Sequence, residues 1–268
     1  MPRLGVLGWP VAHSRSPAMH NAAFAALGMD DWRYQLLPVP SELLVQTTRA
    51  LPAVGFLGAN VTIPHKQAAL ALADSASASA RAIGAANTLT FDAGGAIAAE
   101  NTDAPGLIAA LGVQPRGLSA LVLGAGGSAR AAVWALSEAG AAQVSIWNRT
   151  PARAQALAQE LGARAARTPG PADVLVNCTA VGLDASLGAE EALAQLGLGP
   201  GEVGGYALVA DLVYGSGTTP LIGAARAAGA RTVEGLEVLL AQGALSFELW
   251  TGRQAPHEVM RAALQAAG

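Results

Sequence analysis

The segment from residue 120 to residue 178 constrains the fold most, because short apolar runs alternate there with helical stretches. Three runs have the length and composition of buried strands, and they lie at 120–123, 144–147 and 174–178. A glycine-rich turn joins the first predicted strand to the first predicted helix. The order strand, helix, strand, helix, strand predicts half of a parallel dinucleotide-binding sheet.

The glycine-rich turn has the pattern of a pyrophosphate-binding loop. The first glycine allows the tight turn, the second lets the backbone approach the phosphates, and an alanine at the last position permits close packing of helix on strand. Such a pattern is weak alone, and a purely structural turn is the alternative. We expect the loop to bind a dinucleotide at the helix N-terminus through Gly124, Ala125, Gly126, Gly127, Ser128 and Ala129.

The end of the second strand predicts the choice between NAD and NADP. A site selective for NAD usually has Asp or Glu there, to bind the ribose hydroxyls. This chain has Asn148, Arg149 and Thr150 instead, with Arg153 one helical turn further on. Two guanidinium groups and a hydroxyl suit the 2′-phosphate of NADP, although an ordinary solvated polar face is the alternative. We therefore expect NADP as the cofactor.

The same alternation of strands and helices runs through the rest of the chain and predicts an α/β fold with parallel sheets. Further strands are predicted at 4–7, 32–37, 56–61, 88–91, 96–99, 208–212 and 231–233, and two closing helices at 236–251 and 256–267. Asp92–Gly95 is a turn pattern that returns the chain into the next strand. A linker is predicted near 114–117, before the dinucleotide-binding segment.

Composition excludes several other classes of protein. Of 268 residues, 52% are hydrophobic and 13% charged, which provides core material for two ordinary domains. The net charge is −3 without a basic run, so nucleic acid is not an expected partner. No apolar stretch approaches the roughly 18 residues of a membrane span, and the first residues lack the layout of a signal peptide. We expect a cytoplasmic protein without membrane contact and, since no ligand spacing is present, without a metal site.

One lysine stands among the cationic side chains, which are 15 arginines and Lys66. A genome that prefers arginine codons explains the excess of arginine over lysine, and the single remaining lysine could be there by chance. The alternative is chemical, since lysine can transfer a proton and arginine cannot. Lys66 follows Pro64 on the first turn of a predicted helix, where a charged lysine is electrostatically disfavoured. That position suits proton transfer better than solubility.

Four polar clusters interrupt the apolar first hundred residues. They lie at 14–17, 60–66, 87–88 and 101–103. Because open α/β folds bind ligands at strand ends, we expect these clusters to converge on a substrate. Capping of a helix is the simpler alternative for Ser16, and Asp103 has the same alternative for the stretch through Leu111.

Several motifs together resemble the shikimate dehydrogenase family. They are Gly8–Pro17, Asn60–Lys66, Gly84–Thr88, Asn101–Asp103, the Gly124 loop with Asn148–Thr150, Asp211–Tyr214 and Gln242. Their order along the chain is that of the family from end to end. The resemblance implies an N-terminal α/β substrate-binding domain, residues 1–101, to which the C-terminal helices 235–268 return. It also implies a Rossmann-type NADP-binding domain at 102–234, with the active site in the cleft between the domains.

The activity implied by the resemblance is reversible reduction of 3-dehydroshikimate to shikimate with NADPH. Lys66 and Asp103 would form the catalytic pair. The substrate would be bound by these two and by Ser14, Ser16, Asn60, Thr62, Asn87, Tyr214 and Gln242. The resemblance adds Thr179, Val213, Gly235 and Val238 to the cofactor site, although the two valines stand where methionine is frequent in the family.

Two rival functions remain open at the level of sequence. A quinate/shikimate dehydrogenase that uses NAD is disfavoured by Arg149 and Arg153, and a non-catalytic relative that senses shikimate-type ligands or NADP is disfavoured by Lys66 with Asp103. The chain could be a monomer or a homodimer. We expect structural roles for His13 and His20 and a packing role for Cys178, while His65 stays open.

Overall fold

The structure is a computed structural model that describes residues 1–184, 186–199, 201–215 and 217–267. The chain forms two compact units, the first from 1–106 with 240–268 and the second from 107–239. The sequence-based boundaries were 101 and 235. The predicted linker at 114–117 lies inside the second unit, and the division instead falls within two continuous helices, α5 (Asp103–Leu111) and α10 (Gly235–Thr251).

The second unit contains a fully parallel sheet of six strands. The strands are β7 (Ser119–Leu123), β8 (Gln143–Trp147), β9 (Arg164–Ala165), β10 (Val174–Asn177), β11 (Leu208–Asp211) and β12 (Arg231–Val233). Their spatial order is β12-β11-β10-β7-β8-β9. Numbered from β7, this is the 3-2-1-4-5-6 order of the Rossmann fold, in which the strand order reverses beside the first strand. Ligands of such sheets bind at that point, at the carboxyl ends of the strands.

Helices cover the strands of the second unit. They are α6 (Gly127–Glu138), α7 (Pro151–Leu161), α8 (Ala189–Gln195) and α9 (Pro220–Ala227), with a short 3-10 turn at Val203–Gly205. The central strands β7, β10 and β11 are apolar except at one end and are almost completely buried, because helices cover both faces of the sheet. Val122, Val176 and Ala210 accordingly form one continuous core with residues of α6 and α7.

The first unit contains a mixed sheet, in which one strand departs from the predicted parallel arrangement and the predicted turn at Asp92–Gly95 is present. Its strands are β1 (Arg3–Gly8), β2 (Arg33–Pro38), β3 (Gly58–Val61), β4 (Ser75–Ala76), β5 (Thr88–Phe91) and β6 (Ile97–Glu100), in the order β2-β1-β3-β5-β6-β4. Only β5 is antiparallel to its neighbours. The Asp92 carboxylate accepts hydrogen bonds from the Gly94 and Ala96 amides, and this tight turn makes β5 and β6 a hairpin.

The helices of the first unit come from both ends of the chain. They are α1 (Ser16–Ala26), α2 (Leu44–Ala50), α3 (Lys66–Leu72), α4 (Ala78–Ile83), the start of α5, most of α10, and α11 (His257–Ala266), with 3-10 turns at Ser41–Leu43 and Pro52–Val54. The long helix α10 packs through its small residues. A methyl group on Gly243 would lie 2.2 Å from the end of the Met19 side chain. None of the helices in the described part of the chain is both long and apolar enough to cross a membrane.

Candidate active site

Lys66 and Asp103 form a buried ion pair in the first unit. The Lys66 Nζ atom lies 2.6 Å from Asp103 Oδ2, and the two side chains are only 10% and 14% exposed. Lys66 is the first residue of α3, two positions after the cis peptide bond between Ile63 and Pro64, so the helix begins later than the sequence predicts. Asp103 is the first residue of α5. Two helix starts therefore bring opposite charges together.

Asn87 fixes the other oxygen of the Asp103 carboxylate. Its Nδ2 atom donates to Asp103 Oδ1 at 2.8 Å and to Gln242 Oε1 at 3.1 Å. Its own Oδ1 atom accepts a hydrogen bond of 2.7 Å from the Thr102 amide. Because each carboxylate oxygen has its own donor, the plane of the carboxylate is set before any ligand binds.

Gly106 brings Gln242 within reach of Asn87. A methyl group at Gly106 would lie 2.7 Å from Gln242 Cβ, so only glycine lets α10 approach α5 this closely. Gly106 belongs to none of the motifs in the sequence, since a glycine inside a helix ordinarily indicates only a weak tendency to form that helix. Its position three residues after Asp103 is the one signal that could have marked it.

Asn60 belongs to a network of hydrogen bonds beneath the pair. Its Oδ1 atom accepts from Tyr34 Oη at 2.8 Å, and its Nδ2 atom donates to Thr88 Oγ1 and to Ser246 Oγ. Asn60 is 5% exposed. Both amide hydrogens thus have acceptors within the protein. Asn60 therefore stabilises the segment at Asn87 and Thr88. Ser246, which the sequence did not indicate, belongs to the same hydrogen-bond network.

Asn101, and not Asp103, caps α5. The Asn101 Oδ1 atom accepts a hydrogen bond of 3.1 Å from the Ala104 amide, which satisfies a free donor of the first turn. The Asp103 carboxylate is occupied by Lys66 and Asn87. The capping alternative for Asp103 is therefore wrong, because Asn101, two residues earlier, accepts the hydrogen bond from the first turn.

Ser14 and Ser16 lie together at the start of α1. The Ser14 hydroxyl donates to Ser16 Oγ at 3.2 Å and accepts from the Ser16 amide at 3.3 Å. Helix α1 begins at Ser16, and no side chain caps it. The expectation that Ser16 is the N-cap is wrong, since Arg15 occupies that position. The two hydroxyls lie side by side at the start of the helix, with Ser14 as the donor and Ser16 as the acceptor of the hydrogen bond between them.

Thr62 is held against the first strand of the same unit. Its amide donates to the Leu7 carbonyl at 2.8 Å. A methyl group on Gly8 would lie 2.5 Å from Thr62 Cγ2, so the glycine makes room for the threonine. Thr62 is half-buried. The backbone of the 60–66 cluster is thereby fixed to the strand that leads towards Ser14.

The glycine-rich loop of the second unit has the backbone that a dinucleotide requires. Gly124 has a φ of +109°, in the left-handed region that favours glycine, and a methyl group there would lie 3.2 Å from the Cys178 carbonyl. Gly126 precedes the first residue of α6 and has open space where a side chain would stand. Ala129 is fully buried. These features fit a pyrophosphate at the helix N-terminus.

Arg149 and Arg153 are exposed beside the start of α7. Asn148 donates from Nδ2 to the Thr150 carbonyl at 3.0 Å, which shapes the turn before the helix. Neither arginine forms an ion pair with any residue that the structure describes. The polar-face alternative lacks the carboxylates that would stabilise it, and two arginines at a helix N-terminus favour an anion.

The remaining predicted cofactor residues follow β10, β11 and β12. Thr179 donates from its hydroxyl to Asn177 Oδ1 at 2.7 Å. Val213 and Val238 are 6% exposed, and a methyl group on Gly235 would lie 2.5 Å from the Val213 carbonyl oxygen. Tyr214 follows Val213 and is half-buried. These residues lie at the carboxyl edge of the sheet.

The histidines and the cysteine do not gather into a further site. His20 is fully buried without a hydrogen-bond partner and stacks on Tyr34, and burial lowers the pKa of His20 to about 3. His65 is buried and lies 2.7 Å from the Val39 carbonyl, which gives it a structural contact. Cys178 lies in the core of the second unit. Nowhere in the described ranges do three His, Cys, Asp or Glu side chains gather as metal ligands.

Three family models match successive parts of this chain. The shikimate dehydrogenase substrate binding domain matches residues 6–89, the shikimate/quinate 5-dehydrogenase model matches 111–179, and the shikimate 5′-dehydrogenase C-terminal domain matches 235–265. A relative from Citrifermentans bemidjiense, shikimate dehydrogenase (NADP(+)), is 43% identical over 281 residues, which cover 98% of this chain and 94% of the relative. The chain belongs to the shikimate dehydrogenase family.

The fold is similar to that of several solved structures. Shikimate 5-dehydrogenase from Thermus thermophilus, in complex with NADP(H) and shikimate, is 41% identical with a TM-score of 0.85 over 100% of both chains. The ligand-free 5-ketofructose reductase of Gluconobacter sp. strain CHM43 is 31% identical with a TM-score of 0.85, over 99% of this chain and 98% of that one. The predicted family and α/β fold class are confirmed, and the fold also occurs in a protein named for another substrate.

Proposed function

We propose that the chain catalyses the reversible reduction of 3-dehydroshikimate to shikimate with NADPH. The observation that carries the proposal is the buried pair of Lys66 and Asp103, held by Asn87 in a chain that belongs to this family along its length. The first unit would bind the substrate and the second would bind NADP. When bound, NADPH supplies the hydride that reduces the ring ketone.

Lys66 supplies the proton that the developing alkoxide requires. In the direction of reduction, its ammonium donates a proton to the oxygen; in the direction of oxidation, the neutral amine takes it back. Asp103 stabilises the ammonium at 2.6 Å and orients it. The lone lysine of the sequence thus has a role that none of the arginines could fill.

The substrate carboxylate and hydroxyls would be bound by side chains of the four polar clusters, together with Gln242 and Tyr214. Ser14 and Ser16 offer adjacent hydroxyls for the carboxylate. Thr62, Asn87, Asp103 and Gln242 would bind ring hydroxyls, with Asn60 as a support and Tyr214 as a further ligand. A negatively charged substrate also suits Lys66 and the start of α1.

The NADP site would use the loop Gly124–Ala129 for the pyrophosphate and the segment after β8 for the 2′-phosphate. Arg149 and Arg153 have no competing ion pair in the described part of the chain, and Asn148 and Thr150 shape the turn between them and the strand. Thr179, Val213, Gly235 and Val238 would surround the nicotinamide end. A cytoplasmic location and a monomer or homodimer stay predictions.

The experiment that tests this function measures absorbance of the reduced nicotinamide with each pairing of shikimate or quinate with NADP or NAD. We expect the highest kcat/KM for shikimate with NADP. A faster reaction with quinate and NAD would favour the rival dehydrogenase. No turnover with any pairing, together with tight NADP binding, would favour the non-catalytic sensing relative.

A second substrate arm separates this function from that of the structural neighbour named as a 5-ketofructose reductase. Reduction of 5-ketofructose with NADPH needs the hydride and the proton but offers no carboxylate to Ser14 and Ser16. We expect little turnover of this neutral ketone. Turnover that exceeds that of 3-dehydroshikimate would contradict the proposed substrate and leave the NADPH-dependent reduction in place.

A further inference from the structure

Asp211 is a fully buried carboxylate to which the proposed function gives no role. It ends β11 and is 0% exposed. Its Oδ1 atom accepts from Asn177 Nδ2 at 2.8 Å and from the Val213 amide at 3.1 Å, and its Oδ2 atom accepts from Thr219 Oγ1 at 2.6 Å. One side chain therefore contacts three separate segments of the second unit.

The network continues from Asp211 to the end of the neighbouring strand. Asn177 is the register partner of Asp211 in the parallel pair β10 and β11. The Asn177 Oδ1 atom accepts hydrogen bonds from the Thr179 amide at 3.0 Å and the Thr179 hydroxyl at 2.7 Å. Since its Nδ2 atom is bound to Asp211, the carboxylate decides which way this amide points.

The segment after β11 is held from two sides. Asp211 binds the Val213 amide, and Gly235 packs against the Val213 carbonyl so closely that a methyl group would lie 2.5 Å from the oxygen. Thr219 N-caps α9 through the Ile222 amide while it donates to Asp211. The Asp211 carboxylate consequently binds both the backbone at Val213 and the N-cap residue of α9.

Burial of the ionised Asp211 carboxylate costs solvation free energy. No residue in the described part of the chain forms an ion pair with it, and a buried charge without a partner costs far more than a neutral polar group. Burial raises the pKa of Asp211 to about 6, although hydrogen bonds from Thr219, Val213 and Asn177 lower it. Three neutral donors that converge on one oxygen pair give a geometry that no apolar residue could replace.

We propose that Asp211 is a positioning residue for the nicotinamide half of the cofactor site. It binds the Val213 amide directly and orients Asn177, which in turn binds Thr179. The segments that follow β10 and β11 are therefore held in one arrangement. The inference rests on the proposed function, because it takes Thr179 and Val213 as the residues that face the nicotinamide. The Gly124 loop packs beside Cys178 and Thr179, whereas Arg149, which would bind the adenosine 2′-phosphate, follows β8 and is not a member of this network.

The test compares the binding of NADPH with that of 2′,5′-ADP, which has the adenosine 2′-phosphate but no nicotinamide. Asp211→Asn removes the negative charge that strengthens all three hydrogen bonds, and its amide nitrogen either forces Thr219 Oγ1 to accept instead of donate or opposes the donors of Val213 and Asn177. We expect Asp211→Asn to weaken NADPH binding about tenfold by calorimetry. Binding of 2′,5′-ADP should change by less than about twofold, within the additivity error for separate sites.

A matched control uses the other carboxylate of this sheet. Asp173 accepts hydrogen bonds of 2.7 Å from the Ser119 amide and hydroxyl at the opposite, amino ends of the strands. Asp173→Asn should leave the ratio of the two affinities at the wild-type value. A ratio that shifts as much in Asp173→Asn as in Asp211→Asn would show general damage to the unit and overturn the inference.

Thr219 provides a second pair of variants if Asp211→Asn does not fold. Thr219→Val removes the hydroxyl that donates to Asp211 and should weaken NADPH selectively, whereas Thr219→Ser keeps the hydroxyl and should bind as the wild type does. Equal losses for NADPH and 2′,5′-ADP, or no loss for either, overturn the inference but not the proposed function. A wild-type chain that binds neither compound contradicts both.

Discussion

The polar side chains at the candidate substrate site bind one another, whereas those at the candidate phosphate site face solvent. In the first unit, Lys66, Asp103, Asn87 and Gln242 form a chain of hydrogen bonds between 2.6 and 3.1 Å. In the second unit, Arg149 and Arg153 are exposed and have no ion pair among the residues described. The first site is organised before any ligand binds, whereas the proposed phosphate site would be organised only by its ligand.

This difference has an energetic consequence. Removal of one member of a closed network leaves its partners without hydrogen bonds, so the effects of single and double substitutions are not additive. Exposed arginines that contact only the ligand act independently. Substitutions in the two sites should therefore combine in different ways.

The largest effect is expected at Lys66. Lys66→Arg preserves the charge but supplies no transferable proton, so kcat should fall by about 10²–10⁴-fold, nearly as far as in Lys66→Ala. Asp103→Asn should also lower kcat, and the double variant should lose little more than Lys66→Ala alone. Steady-state kinetics with shikimate and NADP measure both. Substantial turnover in Lys66→Arg would leave Lys66 as a binding charge only.

Acetylation tests the same residue without mutagenesis. Because Lys66 is the only lysine, amine-selective reagents can modify only this side chain and the N-terminus. Loss of activity should follow modification of Lys66, and bound shikimate with NADP should slow it. Protein that keeps its activity after full acetylation of Lys66 would contradict proton transfer.

Cofactor choice should depend on the two exposed arginines in an additive way. Each charge-assisted phosphate contact should be worth about tenfold to a hundredfold in NADP affinity. Arg149→Ser and Arg153→Ser should therefore multiply in the double variant and change NAD binding little. Calorimetry with both cofactors checks this. Equal losses for NADP and NAD would show that neither arginine binds the 2′-phosphate.

Asp211 lies in the second unit, but its hydrogen bonds are made within the protein, as they are at the candidate substrate site. Because Asp211 is buried, we expect its ionisation to change the free energy of unfolding with pH. Because the pKa rises from 3.8 to about 6 on folding, the folded chain binds this proton more tightly than the unfolded chain. The contribution of the group therefore falls by about 3 kcal/mol as the pH rises through that window. The free energy of unfolding of Asp211→Asn, minus that of the wild type, should increase by about 2.4 kcal/mol from pH 4 to pH 7 in urea titrations, because most of that window lies above pH 4. A constant difference would contradict the ionisation of Asp211.

The smallest effects on stability are expected at Ser14 and Ser16. Since Ser16 caps nothing, Ser16→Ala should change the free energy of unfolding by less than about 0.5 kcal/mol. Ser14→Ala removes the acceptor of the Ser16 amide and should cost about 1 kcal/mol. Both should raise the KM for shikimate more than the KM for NADP. An unchanged KM for shikimate would show that neither serine binds the carboxylate.

The second unit was largely predictable because its signals are local. The strands at 120–123, 144–147 and 174–178 are all present, each shifted by at most one residue. The glycine loop lies between the expected strand and helix. The two-residue strand β9 and the short helices α8 and α9 were missed, because segments of two to eight residues have too little periodicity to detect.

The first unit was less predictable because its site depends on contacts between distant segments. The pattern around Asp92 predicted a turn that returns the chain, and β5 and β6 do form an antiparallel hairpin there. The pattern did not show that β5 also pairs antiparallel with β3, which lies distant in sequence. Capping by Ser16 was equally reasonable from composition and was wrong, since the helix begins at that residue. A cap depends on where the backbone turns, within one residue, and sequence patterns locate helix ends less closely than that.

The sequence by itself determined the α/β class, the dinucleotide loop, the absence of a carboxylate after β8 and the one lysine. These are properties of residue type and short spacing. The pairing of Lys66 with Asp103, 37 residues away, was expected from the family resemblance and not from any local pattern, and the structure shows the contact. Only the tertiary structure decided that Asn87 reaches Gln242, 155 residues away. It also decided that Asp211 joins three segments and that Gly106 admits α10. The physical reason is that hydrogen bonds and close packing act over a few ångströms between side chains, and no local pattern states which distant residue will occupy that space.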